Sequence, residues 1–255
     1  MDDLWKMLSE GVESGVPFVL ATVVKTEGSA PRKAGAKMLV RSDGSMVGSV
    51  GGGALEHAVV EAAKEILCSR ESKLLSYRLQ PDLGMACGGT ADVFIESVLP
   101  AQRLYIFGAG HIGQALCPIA ASLGYAVTVI DNRTELACRE RFPQAVALVH
   151  SFDPVCWKDL VFNDQTFCVV ATPSHKLDTE VVRALMERPF RYLGMIGSKS
   201  KRTNIEKTLA EGGVTPQRMA DLHTPLGLPI GAETPAEIAI SIAAQLVMVR
   251  HSSDR

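Results

Sequence analysis

The chain has 255 residues, 26 Lys and Arg against 28 Asp and Glu, and a formal net charge of −2. That balance gives no general attraction for nucleic acid or anionic lipid. Its 47% hydrophobic and 21% charged residues are those of an ordinary globular protein, and no apolar run reaches the ~18 residues of a membrane helix, so neither a membrane nor a nucleic-acid partner is expected. The opening segment pairs Asp2 and Asp3 where a secretory signal would carry basic residues, and no apolar stretch of signal length follows, which predicts a cytoplasmic protein. Six cysteines, Cys68, Cys87, Cys117, Cys138, Cys156 and Cys168, form no C-x-x-C pair. They argue against a zinc ribbon or disulfide framework and are expected to be small core residues, with Cys87 set apart.

At roughly 150 residues per domain the length points to two domains. In chain order, Asp2 or Asp3 can cap a first helix with Leu4, Leu8 and Val12 on its inner face, ended by Gly15 and Pro17. Residues 18–26 read as a strand. Residues 37–41 and 45–50 flank Ser42-Asp43-Gly44 as a hairpin, residues 54–67 have helical spacing, and residues 73–79 and 91–98 are two further strands. Residues 1–99 are therefore an α+β domain. After Leu99-Pro100 the pattern becomes short apolar strands, at 104–107, 126–130, 145–149, 167–171 and 192–196, alternating with helical stretches. This predicts βαβ units, a parallel sheet and a Rossmann-like domain over 100–255. A last helix from about Pro235 to Arg250 carries Ile238, Ile242, Leu246 and Val249 on one stripe.

Gly108-Ala109-Gly110-His111-Ile112-Gly113 follows the strand LYIF directly and opens a helical pattern. In that context the three glycines serve a tight turn, close approach of a pyrophosphate to helix N-terminal amides, and close helix-on-strand packing. Asp131 ends the second strand about 20 residues on, where a carboxylate can accept from a ribose 2′-OH. Gly108, Gly110, His111, Gly113 and Asp131 are thus candidates for binding NAD(P). Other loops expected at the carboxyl ends of the strands include 171–178, 197–202 and 222–227. Ser198 and Lys199, with Lys201 and Arg202, open a helix as either a phosphate site or a solvated helix start. His175, Asp178 and His223 lack a metal-site spacing. None of Tyr77, Tyr105, Tyr125 and Tyr192 is followed four residues later by Lys, which excludes a short-chain dehydrogenase; His175 or His223 as acid/base for hydride transfer stays open.

Three loops of the first domain are not demanded by its fold: 26–33, 48–56 and 84–90. Gly51-Gly52-Gly53 before a helix is either an anion cradle of unobstructed amides or a plain bend. Cys87, flanked by glycines, is either a reactive thiolate able to hold a soft metal or carry sulfur, or a buried small residue.

TEGSAPRKAGAKMLV from Thr26, GSVGGGALEHAV from Gly48, GMACGGTADVFIE from Gly84, IFGAGHIGQAL from Ile106, RYLGMIGSKSKR from Arg191 and LPIGAETPAEIAISIAAQLV from Leu228 together resemble the XdhC/CoxI family of xanthine dehydrogenase accessory proteins, over nearly the whole chain. The resemblance implies a maturation factor that binds molybdenum cofactor (molybdopterin), protects it, and delivers it after sulfuration to a molybdenum hydroxylase apoenzyme such as xanthine dehydrogenase. It implies a carrier rather than a turnover enzyme, with a cysteine desulfurase as a further partner. By this resemblance Cys87 stands nearest the metal, and Arg32 and Gly51 to Gly53 near the cofactor's anionic groups. A homodimer is the default expectation. The near absence of a spacer between the domains departs from many family members and leaves the domain orientation open. Two other functions stay in view: an NAD(P)-dependent oxidoreductase on a small substrate, and a nucleotide-sensing regulatory module.

Overall fold

The structure, a computed structural model, describes residues 4, 6–8, 17–69, 71–99 and 101–252, apart from the side chains at 199–201 and 204. The chain divides into two compact units, Met1–Pro100 and Ala101–Arg255.

The first unit is an antiparallel sheet of β1 (Phe18–Glu27), β2 (Lys37–Arg41), β3 (Met46–Gly48), β4 (Lys73–Arg78) and β5 (Thr90–Val98), in the order β3-β2-β1-β5-β4. Helix α1 (Gly53–Ser69) buries Leu55, Val59, Ala63 and Ile66, an i, i+4, i+8, i+11 stripe that makes one helix face. That stripe shares a core with Ala21, Val23, Val40, Val93 and Ile95. Strand β5 alternates in burial, Ala91, Val93 and Ile95 pointing inward, as a sheet with one buried face requires. The hairpin closes where expected, Arg41 N–H donating to the Ser45 carbonyl at 2.9 Å. Strand β3 is shorter than 45–50 because Gly48 takes φ +85°, outside the β region. Of the expected first helix, Leu4 and residues 6–8 are helical; Asp2, Asp3, Val12 and Gly15 lie outside the described residues.

The second unit contains β6 (Arg103–Phe107), α2 (His111–Ser122), β7 (Ala126–Ile130), β8 (Ala147–Val149), β9 (Thr166–Val170), α3 (His175–Met186), β10 (Tyr192–Met195), α4 (Lys199–Glu211), α5 (Pro216–Ala220), β11 (Leu222–His223) and α6 (Pro235–His251). The sheet is parallel throughout, in the order β11-β10-β9-β6-β7-β8. Counted from β6 this is 6-5-4-1-2-3, the Rossmann order, which places the chain reversal between β6 and β9. The strands are apolar on both faces. Leu104, Ile106, Phe167 and Val169 enter one core with α2 and α6, while Tyr105, Phe107, Cys168 and Val170 enter the other with α3 and Trp157.

Helices do not fill every crossover. Between β7 and β8 the chain runs through turns that still bury Ala137, Phe142 and Ala145. Between β8 and β9 there is one 3-10 turn, Pro154–Trp157, which buries Trp157 edge-on to Phe107. Helix α6 starts in a capping box: Thr234 accepts from the Glu237 amide, and Glu237 accepts from the Thr234 amide. Ile242 and Leu246 are buried, and Ile238 and Val249 pack against the same core. Cys117 and Cys168 are core residues as expected; Cys68 and Cys156 are exposed and Cys138 half-buried, because each sits at the end of an element or in a turn rather than on its inner face.

Leu246 is fully buried and Ile240, on the same helix, is 54% exposed. Leu246→Ala is expected to destabilise the protein by about 2–5 kcal/mol, and Ile240→Ala by less than about 0.5, measured by urea unfolding.

Candidate functional site

In the first unit the three unexplained loops meet. The Gly89 amide donates to the Ser29 carbonyl at 3.1 Å. A Cβ at Gly28 would stand 3.2 Å from Gly89 Cα, one at Gly89 would run into the Glu27 and Ser29 carbonyl oxygens, and one at Gly51 would lie 2.8 Å from Pro31 Cγ. Contacts this close require missing side chains. The loop carrying Cys87 is framed by the Met85 amide on the Leu79 carbonyl and the Leu79 amide on the Gly89 carbonyl. Cys87 itself is half-buried against the unit's core.

Beside these loops lies a groove of about 770 Å³ lined by residues 30–37 with Leu4, Gly48 and Ser49. Among the described residues its charged lining is Arg32, Lys33 and Lys37, all cationic. The Lys37 ammonium donates to the Thr22 hydroxyl at 2.9 Å, while the Arg32 and Lys33 side chains have no partner among the described residues. Lys37 was legible only as a strand start; it continues directly from residues 30–36 and lines the groove with them.

The glycine run differs from the expected open cradle. Gly51, Gly52 and Gly53 all have positive φ, but the Gly51 amide donates to the Ser49 hydroxyl at 3.3 Å and the Gly52 amide to the Glu56 carboxylate at 3.0 Å. Glu56, in the first turn of α1, supplies the negative charge that a helix N-terminus favours. The cations of the groove, rather than these amides, are available to an anion.

In the second unit each fingerprint glycine can be assigned a reason. Gly108, at φ +130°, is held against the loop after β9, where a Cβ would strike the Ala171 carbonyl oxygen; a Cβ at Gly113 would strike the Gly108 carbonyl oxygen and stand 3.2 Å from Ile106 Cγ2. Gly110 has an ordinary φ of −71° and nothing within 4 Å of where its Cβ would be. The fold does not need a glycine there, and the space it leaves is at the uncapped start of α2, whose first residue, His111, is exposed.

Asp131 does not offer the expected acceptor. It is fully buried, and its two oxygens accept from the Ala109 amide (2.8 Å), the Arg133 amide (2.9 Å), Arg133 Nε (2.9 Å) and an Arg133 terminal nitrogen (2.6 Å). Those four bonds use the acceptor capacity of a carboxylate. Burial by itself would push its pKa up, but hydrogen bonds from Arg133 and the Ala109 amide outweigh it and hold the carboxyl below its ordinary range. Arg133 carries no motif signal from sequence; only the turn after β7 folds it back onto Asp131.

The remaining candidates are dispersed. Ser198 is exposed and its carbonyl accepts from the Arg202 amide at 3.1 Å, opening α4; the Lys199 side chain lies outside the described residues. Asp178 is buried and accepts from the Thr172 amide and hydroxyl at 2.9 and 2.7 Å, and exposed His175 stands 4.0 Å from it. His223 stacks on Tyr192 with ring centroids 4.8 Å apart, and burial lowers its pKa. Among the described residues no group of three or more His, Cys, Asp and Glu could hold a metal ion, and no helix is long and apolar enough to cross a membrane.

A Rossmann sheet joined to an antiparallel unit of converging glycine loops defines the class of protein. Residues 104–246 match the model of the XdhC Rossmann domain, and residues 12–78 that of the XdhC and CoxI family. The chain belongs to the XdhC/CoxI family. It is 37% identical to the uncharacterized protein YqeB of Escherichia coli over 94% of this chain, spanning 45% of that protein's length. It is 26% identical to a probable subunit of xanthine dehydrogenase from Bacillus subtilis, over 98% of each chain, and 25% identical to the molybdenum cofactor insertion chaperone PaoD of Escherichia coli, over 94% of this chain and 86% of PaoD. A crystal structure of a xanthine dehydrogenase from Bacillus halodurans superposes with a TM-score of 0.54 at 25% identity, over 97% of this chain and 95% of that one.

A carboxyl whose folded pKa lies below its unfolded value adds stability that is complete above the unfolded value, near 3.8 for Asp131, and is lost as pH falls through the folded one. Asp131→Asn is expected to destabilise the protein by about 1–3 kcal/mol at pH 7 and to flatten the loss of stability below about pH 4, read from urea midpoints across pH.

Proposed function

We propose that this chain is an accessory protein of molybdenum enzymes that takes the molybdenum cofactor as cargo in the cationic groove of its first unit, shelters it and passes it to a hydroxylase apoenzyme. The observation that carries this reading is the groove itself: a cavity of about 770 Å³ with Arg32, Lys33 and Lys37 and, among the described residues, no carboxylate in its lining. That volume falls in the range of small-molecule sites. Molybdopterin is a phosphorylated pterin, so its phosphate can be met by Arg32 as a planar fork and by the lysines as point charges, and its ring by Ala30, Pro31 and Ala36.

Cys87 belongs to a loop whose Gly89 bonds the segment that leads into the groove, which suits a thiol offered to the cargo's metal or to its sulfur. A cysteine desulfurase would then be the sulfur-donating partner. The names of two relatives, a probable subunit of xanthine dehydrogenase and a molybdenum cofactor insertion chaperone, agree in kind with this role. Arg32 and Lys33 are exposed, so affinity for the cargo should fall with ionic strength.

Protein purified from cells that make the cofactor is expected to yield, on oxidation, a fluorescent pterin in proportion to protein. Replacing Arg32 and Lys33 together with Ala removes two charge-assisted contacts and should lower pterin retention at least about tenfold, with unfolding midpoints unchanged; Cys87→Ala should retain less as well. Pterin-free wild-type protein, or full retention in the double variant, contradicts the proposal.

A further inference from the structure

We infer that the crevice of the Rossmann unit takes a nucleotide bearing a phosphate monoester on the ribose nearest β7, and not one with a free ribose diol there. A free diol needs an acceptor at the end of the second strand. The Asp131 carboxylate that would supply it is buried and its acceptor sites are filled, so this crevice does not fit an unphosphorylated ribose.

What stands there instead is a donor. Of the five N–H groups of the Arg133 guanidinium, Nε and one terminal nitrogen bond Asp131. That leaves three N–H groups for a ligand on a side chain 34% exposed. The Asp131 bonds raise the Arg133 pKa, and Glu135 adds to the same field. They also fix the guanidinium plane, so a phosphate meets a donor fork already in position. Because Asp131 is paired, the incoming anion does not face a bare carboxylate.

Asp131 links this fork to the glycine loop through two hydrogen bonds, one from Arg133 and one from Ala109. Phe107 and Ile130 are in register on adjacent parallel strands, the Gly108 amide donates to the Ile130 carbonyl, and the Ala109 amide donates to Asp131 itself. The space left by Gly110 opens onto the start of α2, which has no side-chain cap and no acidic residue in its first turn. One phosphate at the helix start and a second on Arg133 would use both sets of donors. The inference is independent of the cargo proposed for the first unit.

The test is calorimetric titration of the full chain at low salt with adenosine 2′,5′-bisphosphate and with 5′-AMP, which differ only in the 2′-phosphate. The bisphosphate is expected to bind at least about tenfold tighter, and Arg133→Gln to bring the two within about threefold. Since that variant leaves Asp131 short of partners and can fail to fold, Gly110→Ala is the second arm. Its Cβ meets no protein atom, so the unfolding midpoint should hold while both ligands are lost. Equal or tighter binding of 5′-AMP, no binding of either at millimolar concentration, or unchanged binding to Gly110→Ala would overturn the inference.

Discussion

The second unit turns on one buried carboxylate. A charge taken out of water is tolerated only when paired and fully hydrogen-bonded, and Asp131 meets that demand with two amides and a guanidinium. In doing so it ties the loop after β6 to the end of β7 and holds Arg133 in a set position. The geometry of the glycine loop and the polarity of the crevice are consequences of satisfying that one group. A residue whose position suits a ligand acceptor has become a structural node, and its partner Arg133 stays partly exposed.

The first unit is organised by a different constraint, the contact of backbone with backbone. Gly28, Gly51 and Gly89 lie where a side chain would collide with a neighbouring loop, so three segments far apart in sequence close upon each other. Beside them Arg32, Lys33 and Lys37 lie along one groove with no acid among its described lining residues. Segregated charge of this kind is not needed by the fold, since exposed ion pairs add little stability, whereas it serves an anionic guest well. The glycine run at 51–53 illustrates the converse: its helix start is neutralised internally by Glu56, and the proposed site for an anion lies on the cations nearby.

The sites proposed in both units use arginine or lysine in place of the simplest anion site, a bare glycine loop. Main-chain amides bind any acceptor that fits, while a guanidinium fixed by a second residue adds direction and discriminates planar, multiply charged groups. For an XdhC/CoxI protein proposed to carry a phosphorylated pterin, discrimination matters more than tight binding, because cargo must leave again.

Much of the architecture was determined by sequence alone, because periodicity and turn chemistry are local. Alternation at 91–95, the apolar stripe of α6, the Ser42-Asp43-Gly44 turn and the strand–glycine–helix order at 104–113 each act within about ten residues, and each is found in the structure. Legibility ended where a crossover lacked helical periodicity, as between β7 and β8, or where a group's partner was distant or on a turn. Nothing in the chain order says that Glu56 would occupy the Gly52 amide or that Arg133 would fold back to fill Asp131. Those outcomes belong to tertiary structure, since whether a polar group is open to a ligand depends on which other groups reach it first, and that is settled only when the chain is packed.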